Sequence, residues 1–287
     1  MATREMARQP DVGRAEADGG VGTERGAALR SALRLGVWQV TFGLAVLALW
    51  EWASGRLLDT FFVSKPSLVA GFLWQSVLNG TLARDIGVTM RETATGYVLG
   101  APLAILCGFL LAQAPRAAAV LNPYILAVYG VPRIALAPLF LVWFGIGENS
   151  KVFLALMMTF FLTFVNTFTG INTVDMGLKN VARVMGASGT QVFWKVVLPA
   201  ASPWIIAGLR VSIPQALVAA VVGELVMSTA GLGYRIGLST QTFNITGAMS
   251  GVLVLMLIVI LLNLALDRVE AYLLRWRPPS ELAADRS

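Results

Sequence analysis

Six stretches of this chain are apolar enough and long enough to cross a bilayer, which leaves few architectures open to it. A helix rises about 1.5 Å per residue, so about 20 apolar residues span the hydrocarbon core. Candidates lie at 36–53, 93–113, 118–145, 151–172, 203–227 and 248–267. Charged residues make up 13% of the 287 and hydrophobic ones 56%, where a soluble chain carries about a quarter charged. What lies outside the spans is too short and scattered for a second core. The expectation is an all-α integral membrane protein with six transmembrane helices in one domain at 36–270. It is flanked by a disordered N-terminal tail over 1–35, poor in large apolar residues, and a C-terminal tail over 271–287. A cleaved signal peptide competes for the N-terminus, but the polar region there is too long and no clean small-x-small site follows the first apolar run.

The net charge of +6 does not point to nucleic acid, because of where the charge sits. Arg4, Arg8, Arg14, Arg25, Arg30 and Arg34 precede the first span, and Arg268, Arg275, Arg277 and Arg286 follow or close the last. With both termini placed in the cytoplasm, Arg116, Lys179, Arg183 and Lys195 join them on that face. Arg56, Lys65, Arg84, Arg91, Lys151 and Arg235 take the other, a ratio of 14 to 6. Basic residues near span ends resist translocation, so this bias sets the orientation. The lone Cys107 has no disulfide partner and the chain has no His, which removes the commonest zinc ligand and proton shuttle. No metal site or cofactor is expected. Nor does any Gly-rich loop end in Gly-Lys-Ser/Thr, so the chain cannot hydrolyse ATP through a P-loop.

A polar interruption separates two of the spans, from Val174 to Pro203. Asp175, Lys179, Arg183 and Lys195 are spread through it, with Ala182 and Gly186 at i, i+4. That spacing predicts a short helix with one small-residue face, along which a partner could close around the backbone. Pro199 and Pro203 are expected to end the segment before the next span.

Other local patterns are structural. Pro66 suits a first helical position, and Leu68, Val69, Phe72, Leu73, Val77 and Leu78 recur with helical spacing until Asn79-Gly80, which predicts an interfacial helix or a loop on the outer face. Gly96, Gly100, Ala104 and Gly108 make a small-residue ridge for close packing, within the subunit or across a dimer. In the third span Pro132 and Pro138 break the hydrogen-bond ladder, so it faces a cavity or a tight neighbour. Arg133 and Glu224 are the deepest charges, each costing roughly 3 kcal/mol at mid-bilayer. They could pair with each other or line the pathway, with Pro132 and Pro138 beside them. Arg210 can snorkel to the interface, and Glu51 and Asp267 sit at span ends. Gly231-Leu232-Gly233-Tyr234 reads as an outer turn.

Asn180-Val181-Ala182, three residues, Gly186, nine residues and Val196-Val197-Leu198-Pro199 resemble the "EAA" signature of the membrane subunits of ATP-binding-cassette importers. Asn180 stands where that signature has Glu. The runs Pro132 to Phe140 and Trp143 to Gly147, then Gly186-Ala187-Ser188, Gly208-Leu209-Arg210, Glu224 and Gly231 to Tyr234 extend the likeness over residues 36–270 to the nitrate, sulfonate and taurine branch. The resemblance implies a type I importer permease fold in the bacterial inner membrane, transporting a small, anionic solute, although the same branch serves pyrimidine precursors and aromatic acids. It implies two ATPase subunits, a second permease copy and an extracytoplasmic solute-binding protein as partners. It also implies ATPase coupling through Asn180, Val181, Ala182, Arg183, Gly186, Ala187 and Pro199, with no catalytic residue in this chain. The rival reading is a self-sufficient secondary transporter or channel using Arg133 and Glu224. A membrane enzyme fits least, since no nucleophile and base pair is visible.

Overall fold

The computed structural model describes residues 15–273 and 275 of the chain; residues 1–14, 274 and 276–287 of the two expected tails lie outside them. Among the described residues there are helices and no named strand. Residues 15–66 form one compact unit and 67 onward a second. In the first, α1 runs from Ala15 to Ala53, so the part of the expected disordered tail from Ala15 onward is helical. Its Ala, Glu and Arg residues are good helix formers. Residues Arg34–Ala53 are its apolar, membrane-crossing part. Beyond it the chain folds back, with the Trp50 Nε1–H donating to the Ser64 carbonyl (2.7 Å) and the Ser54 hydroxyl to that of Val63 (2.6 Å).

The second unit begins within α2 (Pro66–Leu78), the short apolar helix read from the spacing, with Pro66 at its first position. Then come α3 (Thr81–Ala112), α4 (Pro115–Gly130), a 3-10 turn (Arg133–Leu136), α5 (Ala137–Phe144), α6 (Glu148–Asn172), α7 (Met176–Val184), α8 (Gly189–Val192), a π turn (Phe193–Val197), α9 (Leu198–Met227), α10 (Leu232–Gln241) and α11 (Ile245–Leu273). Among the described residues five helices are long and apolar enough to cross a membrane, and six if α4 and α5, bent by 81°, count as one broken span. α3 starts 12 residues before the expected span at 93. It carries Asp85, Thr89 and Glu92 into the bundle on the ridge that continues as Gly96, Gly100, Ala104 and Gly108.

That ridge packs against α6 of the same chain. A Cβ on Gly96 would stand 2.6 Å from the Ala155 Cβ and 2.8 Å from the Val152 carbonyl oxygen, and one on Gly100 would stand 2.8 Å from the Leu156 carbonyl oxygen. α6 meets α9 as closely: Gly208 faces Asn166, Gly170 lies under Trp204, and the Thr163 hydroxyl donates to Ser212 Oγ at 3.2 Å. α3, α6 and α9 thus form a central slab in which small residues let backbones approach, as helices in lipid require. Ala137 and Phe140 of α5 close onto it through Leu154, Ala155, Met158, Ala216 and Ala219.

Pro199 and Pro203 do not end a segment. The helical run is continuous from Gly189 to Val226, with both prolines inside α9. For Pro199 the π turn at Phe193–Val197 offers the reason: in a regular helix Pro199 would meet the carbonyl of Lys195, and the wider turn eases that clash, whereas Pro203 lies within α9 itself.

Candidate functional site

α7 forms where the sequence placed it, but its faces are arranged differently. The Asp175 carboxylate caps it by accepting from the Gly177 amide (2.7 Å). The helix ends at Val184, and Gly186, at φ +85°, is the left-handed residue after it. The Gly186 amide donates to the Arg183 carbonyl (2.9 Å) and the Ala187 amide to that of Ala182 (3.0 Å), a glycine C-terminal stop. The Ser188 and Gln191 capping box then opens α8. Ala182 and Gly186 therefore share no helix face. Ala182 and Ala187 turn inward onto Ile171, Val174, Val192, Val197 and Ala201. Exposed at the end of α7 are Val181, Val184 at 88% and, just past the helix, Met185 at 81%. Asn180 and Arg183 are exposed beside them, and no ion pair involves Lys179 or Arg183 among the described residues. Pro199 lines a recess of about 470 Å³ with Lys195, Val196, Ala200 and Ser202.

Pro132 ends the extended link after α4, Arg133 opens the 3-10 turn, and Pro138 is the second residue of α5, where a missing amide costs nothing. Arg133 does not meet Glu224. Its guanidinium lies 4.9 Å from the Tyr129 ring centroid and 5.6 Å from that of Phe161.

Glu224 is fully buried at the other end of the slab from α7. The Thr89 hydroxyl donates to its Oε1 (2.7 Å) and the Gly233 amide to its Oε2 (2.6 Å). Gly231, at φ +107°, lies so close that a Cβ would strike the Glu224 carboxylate. The expected outer turn is thus a buried anchor for α10. Next to it Lys151 Nζ stands 2.5 Å from Glu92 Oε1 and donates to Ser228 Oγ at 2.8 Å. Arg235 pairs with Asp85 (2.6 Å) and reaches Ser76. Five charged side chains from four helices therefore gather here: Lys151 pairs with Glu92 and Arg235 with Asp85, Glu224 is held by a hydroxyl and an amide, and Glu92 Oε2 is left buried without a hydrogen-bond partner. Hydropathy alone missed Asp85, Glu92 and Lys151, which fell outside the spans or at their ends; the small-residue ridge, extended back through Thr89 to Asp85, is the signal that finds two of them. At the α7 side of α9, Arg210 pairs with Asp267 and Glu270 of α11.

Residues 100–277 match the family described as the binding-protein-dependent transport system inner membrane component. The chain is 33% identical over 249 residues to a putative aliphatic sulfonates transport permease protein, SsuC, of Bacillus subtilis (strain 168), covering 87% of this chain and 86% of that one. It is 28% identical to the taurine transport system permease protein TauC of Escherichia coli (strain K12), over 83% and 90% of the two chains. To the riboflavin transport system permease protein RibX of Chloroflexus aurantiacus it is 32% identical, over 80% and 87%. A solved amino acid ABC transporter with histidines superposes with a TM-score of 0.56 at 17% identity, over 72% of this chain and 98% of that one, a likeness of fold. The chain belongs to the binding-protein-dependent transport family, as a multi-pass permease of the type I ATP-binding-cassette importer fold.

Proposed function

We propose that this chain is the transmembrane subunit of an ATP-driven importer, forming the pathway for a small, anionic, sulfonate-like solute. Two copies assemble with two ATPase subunits at the α7 end, in the cytoplasm with both termini. A solute-binding protein docks at the α10 end. ATP hydrolysis belongs to the partner chain. The observation that carries this reading is the tip of α7. Val181 and Val184 of α7 and Met185 just past it are exposed, with Arg183 among them, while Ala182 of α7 and Ala187 after the glycine stop pack onto the slab. Burying each of the three exposed side chains in a partner gains about 1.5–3 kcal/mol, and a self-sufficient carrier has no use for such a tip. When the ATPases close, α7 is displaced and the slab carries that displacement across the membrane, alternating the side to which the pathway opens.

The test is to purify the tagged chain, identify the ATPase held with it, and reconstitute the complex in liposomes. With a binding protein present, an alkanesulfonate or taurine should stimulate ATP hydrolysis and enter the vesicle. Uptake by the chain alone, driven by an ion gradient and indifferent to ATP, would make it a secondary transporter.

A further inference from the structure

Among the described residues no carboxylate lies within ion-pair distance to answer the charge of Arg133. Its Nη1 is buried without a hydrogen-bond partner, and its Nη2 reaches only the Tyr129 carbonyl at a long 3.5 Å. Its neighbours are the ring faces of Tyr129 and Phe161. Aromatic faces attract a cation but offer its N–H groups no acceptor in the guanidinium plane. A half-buried guanidinium whose sheltered Nη1 makes no hydrogen bond is left short of an acceptor, and an oxyanion that accepts two parallel N–H bonds supplies it best.

Two further observations bear on what that oxyanion belongs to. Arg133 stands at the 81° break between α4 and α5, and broken backbone at membrane depth lies against protein or a water-filled path. Phe161, one of its two rings, is also a wall of an apolar recess of about 430 Å³ shared with Cys107, Leu111, Leu121 and Ile125. A cationic head group and an apolar pocket thus meet at one ring.

We propose that Arg133, with Tyr129 and Phe161, is an anion subsite on the translocation pathway: the guanidinium takes the oxyanion head of a small aliphatic solute and the recess takes its alkyl part. This rests on the importer reading and names the residue that selects for charge. A sulfonate or carboxylate with a short alkyl chain has the required form. A phospholipid offers the same chemistry, an oxyanion joined to an alkyl chain, so the test separates the two.

The full-length chain, in its assembled complex and in phosphatidylcholine nanodiscs, is titrated with hexanesulfonate and with hexanol. Hexanesulfonate should bind, and hexanol about tenfold or more weakly. Arg133→Gln should weaken hexanesulfonate by about tenfold or more, and Arg133→Lys by less, because it keeps the charge and loses the planar fork. Unchanged binding in Arg133→Gln overturns the proposal. Should that variant fail to assemble, Phe161→Leu decides with Arg133 intact: weakened sulfonate binding supports the subsite and unchanged binding overturns it. In discs containing phosphatidylglycerol, sulfonate binding should persist. If the lipid abolishes it and is retained through Arg133 in native mass spectrometry, the occupant is a lipid and the proposal falls. Uptake separates this inference from its parent. Wild-type transport with equal transport by Arg133→Gln removes only the subsite, whereas absence of ATP-driven uptake by the wild type removes the importer reading and leaves the titration to judge Arg133.

Discussion

The Thr89 hydroxyl joins Glu224 to the start of α10: it stands 2.7 Å from Glu224 Oε1, to which it donates, and accepts from the Leu232 amide at 2.9 Å. One hydroxyl ties α3, α9 and α10 together. Thr89→Val keeps the shape and strands both partners, at about 1–3 kcal/mol for each unsatisfied group. The purified variant should melt several degrees below wild type in detergent. Equal melting temperatures would show that the bridge contributes nothing.

Lys151 and Glu92 are almost wholly buried and paired at 2.5 Å. Lys151→Met leaves Glu92 uncompensated, which costs about 3–5 kcal/mol when one partner of a buried pair is removed. Adding Glu92→Gln should restore part of the loss, because the stranded charge goes with it. A double variant no more stable than Lys151→Met would mean the two do not act as a pair.

Gly96→Ala should destabilise by about 1–3 kcal/mol through overpacking, since the new methyl would stand 2.6 Å from the Ala155 Cβ. Ala155→Gly should rescue it only partly, because the Val152 carbonyl oxygen, 2.8 Å away, is backbone and stays. Thermal melting of the single and double variants checks both statements.

At Gly186 the constraint is the backbone angle, and a Cβ there would meet open space. Gly186→Val should therefore cost about 1–2 kcal/mol in forcing the left-handed conformation, while Gly186→Asn is tolerated. Val184→Asp, at an exposed site, should leave melting unchanged and sharply reduce the ATPase recovered with the chain. Full recovery of ATPase by Val184→Asp would remove the tip from the interface.

Orientation is checked with single cysteines in a Cys107→Ala background. Thr190 follows α7, and Thr240 lies on α10; both are exposed. Thr190→Cys should label from the cytoplasm and Thr240→Cys from the opposite side. Labelling of both from one side would break the assigned topology.

The spans, the small-residue ridge and the broken third span were all legible in the sequence, because each depends on local composition and spacing. The charge cluster was legible only in part, through the α3 ridge that extends back to Asp85. Asp85, Glu92 and Lys151 each look like a solvated charge near a span end, and only the packing of α3 between α6 and α10 makes them neighbours. Gly186 was misread for a different reason: a small residue four positions after Ala182 satisfies both a helix face and a helix stop. Arg183 in the last turn followed by glycine was the cue for the stop. The pairing imagined for Arg133 and Glu224 rested on depth along two helices, and depth says nothing about which way either side chain faces.

The glycines that join α3, α6 and α9 also decide what can move. Helices normally slip past each other by changing side-chain rotamers, and at Gly96, Gly100 and Gly208 there is no side chain to change. The three helices are thereby fused into a stiff plate, and hydrogen exchange should find them opening together. One edge of that plate holds α7 through Ala182 and Ala187, and the other holds α10 through Glu224. A push on the first edge should reach the second across that plate, and the 81° bend where Arg133 sits lies outside it.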